Sequence, residues 1–217
     1  MKEHPILFST EMVRAILDGR KTQTRRICKF EAIDSWEISC LVRNGVYFRI
    51  KDRPDIPSQR VDFPYGQVGD RLWVRETFRY VRVGLGCGGS AVGVEYKTGD
   101  IKFNKRANKY TKQARNKEKR GHHAKWRPSI FMPRWAARIW LEITNIRVER
   151  VQDISWKDIL AEGCDVNKPT GDPSIDDFTA GVEATDTFHW LWDSINAKRD
   201  YGWDKNPWVW VIDFKKL

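Results

Sequence analysis

Gly19-Arg20-Lys21-Thr22-Gln23-Thr24-Arg25-Arg26 is the stretch from which the rest of the chain is read. It follows an amphipathic helix predicted over residues 10–18, where Met12, Val13, Ile16 and Leu17 share one face at helical spacing. Ser9 or Thr10 can cap that helix, and Glu11 sits favourably in its first turn. Gly19 supplies the left-handed stop. A stop needs a glycine and polar neighbours. It does not need one lysine and three arginines beside two threonines. Such a cluster suits a phosphate or a carbonyl with a hydroxyl at hand. The alternative is a solvated basic turn.

Working outward, Asn44-Gly45 is a hairpin turn signal between short strands at residues 37–41 and 46–50. Gly69-Asp70 turns the chain into a strand over residues 71–76, with Glu76 at its end. Residues 81–93, rich in Gly and Val, predict a loop or a hairpin. Residues 137–151 are the clearest strand, with Ile139, Leu141 and Ile143 alternating against Arg138, Trp140 and Glu142. A short helix follows, capped by Ser155, stapled by Ile154 and Ile159, and ended by Gly163. Residues 165–183 predict a polar loop, residues 187–198 a helix and residues 208–214 a closing strand. The order predicts an α+β fold around an antiparallel sheet or small β-barrel, in which short strands bury a core without exposed edges.

The chain has 217 residues, which suits a single domain over 1–217. Two insertions are expected, a basic one at approximately 81–125 and a loop and helix at approximately 165–200. The net charge of +10 is concentrated. Residues 102–127 hold eleven Lys/Arg and one acid, Glu118, whereas the rest has 28 basic and 28 acidic residues. A stripe of that kind suits a polyanion, a solubilising loop being the alternative. No apolar run is long enough for a membrane span, and the first residues do not read as a signal peptide. The four cysteines, without a CxxC pair, read as reduced thiols in a cytoplasmic protein. His122-His123 has no carboxylate or cysteine at ligand spacing, so neither metal nor cofactor is expected.

Three further patterns join the opening stretch: Gly69-Asp70 before a strand, Trp126-x-Pro128-Ser129-x-x-Met132-Pro133-Arg134-Trp135, and Trp203-Asp204-x-Asn206-Pro207-Trp208-Val209-Trp210. With Gly19-x-Lys21-x-x-x-x-Arg26 in the same order, the chain resembles the ASCH domain family of the PUA-like superfamily, and within it the proteins of bacteriophages and prophages. The resemblance implies a small β-barrel, RNA or DNA as partner, recognition of a modified base, and a bacterial host cytoplasm. Some small ASCH proteins are amidohydrolases that remove the acetyl group of N4-acetylcytidine with a lysine, a threonine and a glutamate. Another branch cleaves RNA without a metal. The lysine and threonine carry over to Lys21 and Thr24. The glutamate does not carry over directly: its slot falls at Ala161-Glu162-Gly163-Cys164, where Glu162 is near but shifted, and Glu76 is the second candidate carboxylate.

In chemical terms, Thr24 is the candidate nucleophile and Lys21 its base, with a pKa lowered by burial beside Arg25 or Arg26. Glu76 or Glu162 would orient water or protonate a leaving nitrogen, and Arg26 would hold an oxyanion or phosphate. Arg20, Arg25 and Arg26, with Trp126, Arg127, Ser129, Arg134 and Trp135, are the candidate nucleic-acid contacts, through charge and base stacking. Trp140, Trp192, Trp208 and Trp210 are expected to fill the core. Nucleic-acid binding is the first reading, with hydrolysis in the same cleft added to it; an N4-acylcytidine amidohydrolase or metal-independent ribonuclease, and a structural or interaction role in a phage particle, are the alternatives.

Overall fold

A computed structural model describes residues 1–29, 36–42, 45–50, 55, 57–84, 90–104, 106, 125–164 and 173–217. Its frame is a five-stranded sheet in the order β1 (Glu3–Leu7), β6 (Arg71–Arg75), β10 (Trp140–Arg150), β11 (Trp208–Lys216), β2 (Gln23–Ile27). β1 runs parallel to β6, and the other pairs are antiparallel. The longest pairing joins β10 to β11, from Leu141 opposite Lys216 to Arg150 opposite Trp208, with a bulge between Ile143 and Asn145. Pro5 lies in β1, and an edge strand tolerates a residue without an N–H.

β11 is apolar on both faces because both faces are covered. Trp210, Ile212 and Phe214 join a core with Ile6, Leu72, Val74, Leu141 and Ile143. That core also takes in α1 (Thr10–Leu17) and the sheet of β3 (Trp36–Val42), β4 (Gly45–Ile50) and β5 (Gln59–Asp62). Phe48 of β4 packs on Trp208 with ring centroids 5.3 Å apart. Val209 and Val211 face the other way, onto Ile159 of α2 (Trp156–Ala161) and onto Phe188 and Trp192 of α3 (Pro173–Asn196). A third sheet, β7 (Phe78–Gly84), β8 (Ser90–Tyr96) and β9 (Ile101–Phe103), packs Phe78, Val94 and Tyr96 against Trp73, Met132, Ala136 and Ala137.

The α+β class is as expected, but no sheet closes into a barrel among the described residues. β1 and β2 lie at opposite edges of the main sheet, because α1 carries the chain from one edge to the other instead of letting the two strands pair. The expected polar loop at 165–183 is corrected from residue 173 onward: α3 begins at Pro173, whose fixed φ suits a first helical turn, and runs to Asn196. Residues 165–172 lie outside the described set. Residues 81–93 take the hairpin alternative, β7 pairing with β8, although the turn at 85–89 is likewise not described. Most of the basic segment, 107–124 with His122 and His123, falls outside as well.

Candidate functional site

α1 is capped by Ser9, whose Oγ accepts from the Met12 amide at 3.3 Å, and it ends at Gly19 with φ +78°. The amides of Arg20 and Lys21 both return to the Ala15 carbonyl, at 2.9 and 3.0 Å. α2 is capped as expected, with the Ser155 Oγ accepting from the Asp158 amide, and it ends at Gly163 with φ +82°. The two helix ends meet. A Cβ on Gly163 would lie 2.9 Å from the Cβ atoms of both Ala15 and Lys21, so only glycine lets the backbones come this close. The Thr22 amide donates to the Ala161 carbonyl at 2.8 Å, which ties the start of β2 to α2.

This docking brings Glu162 onto Lys21. The Lys21 Nζ donates to Glu162 Oε2 at 2.6 Å and to the Glu162 carbonyl at 2.7 Å, and both residues are buried. Burial pushes the Lys21 ammonium below its ordinary range, while the Glu162 charge and hydrogen bond oppose the shift. Arg25 Nη1 donates to the other carboxylate oxygen, Oε1, at 3.3 Å. Arg25 also donates to Gln23 Oε1 at 2.6 Å and Glu149 Oε1 at 2.5 Å. Gln23 in turn donates to Asp158 and Asp213, and Arg147 bridges Glu149, Asp158 and Asp213. Burial alone would raise the Asp158 pKa, but hydrogen bonds from Gln23 and Ser155 and the charges of Arg147 and Arg25 hold it at about 2.

Thr24 alternates with Gln23 and Arg25 along β2 and has no solvent exposure. Its Oγ accepts from Arg26 Nη1 at 2.7 Å. Arg26 further donates to the carbonyls of Arg25 and Leu7 and is hydrogen-bonded to Tyr65. Phe8 is the common apolar surface, with the Arg26 guanidinium 5.1 Å and the Lys21 Nζ 5.7 Å from its ring centre. A buried lysine–carboxylate pair beside an arginine-bound hydroxyl can move a proton and hold a polar reacting group.

Of the residues expected from the sequence, Lys21, Arg25 and Glu162 share one hydrogen-bonded network, with Thr24 bound to Arg26 along the same strand. Arg20 stays at the surface, paired with Asp18 and donating to the Gly163 carbonyl. Glu76 belongs to a different set. Both its oxygens accept from Arg138 at 2.9 Å, and Arg138 also holds Asp100 and Thr98. Burial raises the Glu76 pKa against that pairing. Phe8, Gln23, Tyr65, Arg147 and Asp158 escaped the sequence reading. Strand alternation from Lys21 onward is the one signal that would have placed Gln23 with Arg25.

The aromatic and cationic candidates gather beside the third sheet. Trp126 lies under Arg79 at 4.6 Å and Lys97 at 4.9 Å. Arg127 pairs its backbone with Phe78 and covers the rings of Phe78 and Tyr80 at 5.8 and 5.5 Å. Trp135 stacks on Tyr80, 18° from parallel. Arg134 covers Trp140 and pairs with Glu3. Ser129 opens a single 3-10 turn, Ser129–Phe131. Trp192 and Trp210 are buried in the core as expected, and Trp140 and Trp208 pack half-buried against it.

Among the described residues no group of three His, Cys, Asp or Glu could hold a metal ion. No described helix is long and apolar enough to cross a membrane. In comparisons with known proteins, no family model, no curated protein and no solved structure matches the chain.

Proposed function

We propose that this is a nucleic-acid-binding protein of the ASCH, PUA-like kind, in which Lys21, Thr24 and Glu162 form a metal-independent hydrolytic centre for an acyl amide on a nucleobase. The observation that carries the reading is the 2.6 Å contact of Lys21 Nζ with Glu162 in a buried setting. It joins the lysine at the end of α1 to the one carboxylate near the expected glutamate slot.

The proposed chemistry uses these residues in turn. Burial lowers the Lys21 pKa, and in the proposed reaction a proton passed along the 2.6 Å contact to Glu162 turns the ammonium into a neutral amine. The amine takes the Thr24 proton as Thr24 Oγ attacks the acyl carbon. Arg26, already bonded to that hydroxyl, is the nearest cation to stabilise the negative charge that develops on the acyl oxygen in this proposal. Glu162 returns its proton to the departing nitrogen. Water then cleaves the threonyl ester to free acid and threonine. Arg127, Lys97, Trp126 and Trp135 supply charge and stacking surface for the polymer or base.

Binding without turnover is a second reading, favoured by the complete cover over Thr24. Hydrolysis requires that cover to open, and binding does not. The deciding experiment incubates the protein, and a Lys21→Ala/Thr24→Ala variant, with N4-acetylcytidine and with RNA and DNA, without metal, and reads products by mass spectrometry. Deacetylation by the wild type alone supports the hydrolase. Salt-sensitive polymer binding without product leaves a binding module, and neither result in the wild type overturns both readings.

A further inference from the structure

We infer that the Ser129–Phe131 turn is a wedge whose Ile130 and Phe131 side chains enter between stacked nucleobases. The inference rests on the nucleic-acid reading above and adds a mode of engagement to it.

Ile130 and Phe131 are 58% and 62% exposed. Large apolar side chains held side by side in water call for a partner surface. The turn that carries them is fixed at its base. The Phe131 amide donates to the Pro128 carbonyl at 3.1 Å, and the Met132 amide to the Ser129 carbonyl at 3.0 Å. Met132 is 1% exposed, and its sulfur accepts from the Glu76 amide at 3.2 Å. Arg75 Nη1 donates to the Ile130 carbonyl at 3.2 Å. The tip is therefore presented on a pinned turn between Pro128 and Pro133, and little ordering cost remains when it binds.

Charge identifies the occupant. Arg75 lies over Trp73 at 4.6 Å, and Arg127 over Tyr80 at 5.5 Å. Neither has a carboxylate partner among the described residues. Arg75, bound to the Ile130 carbonyl, and Arg127, on the chain segment that leads into the turn, match the alternation of phosphate and base in a nucleic-acid strand. Apolar side chains bracketed by arginines are the means by which proteins part a base step. A protein surface with the same complement would have to bring acids around an apolar socket.

The test uses RNA and DNA oligonucleotides carrying 2-aminopurine between adenines, single-stranded and in duplex form, at low salt. Unstacking brightens the probe. The wild type is expected to bind and raise the emission. Phe131→Ala and Ile130→Ala, both at exposed positions, are expected to bind and lose the rise. Arg127→Ala is expected to weaken binding to every sequence and flatten the salt dependence by about one unit of slope. Binding by the wild type with no rise, or an undiminished rise in Phe131→Ala, overturns the wedge while leaving nucleic-acid binding intact. Absence of any binding at low salt overturns both. Self-association of the wild type that Phe131→Ala abolishes, without an emission change, assigns the tip to protein contact and overturns the wedge.

Discussion

Glu162 closes on Lys21 across 141 residues of chain, with the ammonium 2.6 Å from the carboxylate and both groups buried. Two charges taken from water this completely are costly to separate by substitution. Glu162→Gln leaves the Lys21 ammonium without its counter-charge, and Lys21→Met leaves Glu162 to Arg25 alone. Each single change should destabilise the fold by about 3–5 kcal/mol. The double change Lys21→Met/Glu162→Gln should recover much of that loss, because neither residue is then left as an unpaired charge. Urea unfolding of the three variants checks the cycle; additive losses would mean that the contact does not couple the two residues.

Gly163 is the hinge of that contact. An alanine there would meet the Cβ atoms of Ala15 and Lys21 at 2.9 Å, at a φ of +82° that side chains avoid. Strain and overpacking together predict a loss of about 1–3 kcal/mol for Gly163→Ala. Since Glu162 is the adjoining residue, the hydrolytic proposal adds that any turnover should fall further than the folded fraction does. Thermal unfolding and turnover per folded molecule separate the two effects.

Acid should weaken the site through Asp158. Its folded pKa of about 2 lies below the unfolded value of 3.8, so the unfolded chain takes up the proton first. The stabilisation is complete above a pH of about 4 and is lost as the pH falls toward 2. Asp158 is partly solvated, so the contribution is about 1 kcal/mol after screening. Asp158→Asn should be less stable at neutral pH and show a shallower acid limb. Urea midpoints from pH 6 to pH 2.5 test this, and parallel curves for the two proteins would exclude Asp158 as a source.

Much of the frame was legible because its signals are local. The capping of α1 by Ser9 and of α2 by Ser155, the antiparallel pairing of β3 with β4 around the expected Asn44-Gly45 turn, whose residues 43–44 lie outside the described set, and the alternation through Leu141 and Ile143 all act within a few residues. β1 was hidden by Pro5, which is harmless only because the strand lies at an edge, a fact of topology. β5 carries Gln59, Arg60 and Asp62, with Val61 as its sole apolar residue, and so shows no strand pattern. Lys21 and Thr24 stood out through their own neighbourhood, but their link to Glu162 depends on a helix-end contact that Gly163 permits. Ile130 and Phe131 carry no sequence signal that sets them apart from core residues, and only the fold leaves them outside.

The two candidate carboxylates make a last prediction. Glu76 spends both oxygens on Arg138, whose guanidinium lies 4.2 Å from the centre of the Tyr96 ring. Glu162 places one oxygen on the Lys21 ammonium. If hydrolysis runs through Lys21, Glu162→Gln removes its proton acceptor, whereas Glu76→Gln mainly weakens the packing of the third sheet. A neutral amide at 76 still accepts one bond from Arg138, so a stability loss of about 1–3 kcal/mol is expected. Burial raises the Glu76 pKa, so the folded protein holds that proton to higher pH than the unfolded chain. Its contribution therefore falls as pH rises through the window above 4.5, and Glu76→Gln removes that slope. Turnover measured per folded molecule should drop by orders of magnitude for Glu162→Gln and far less for Glu76→Gln. The reverse ranking would move the reacting carboxylate to the end of β6 and the site with it.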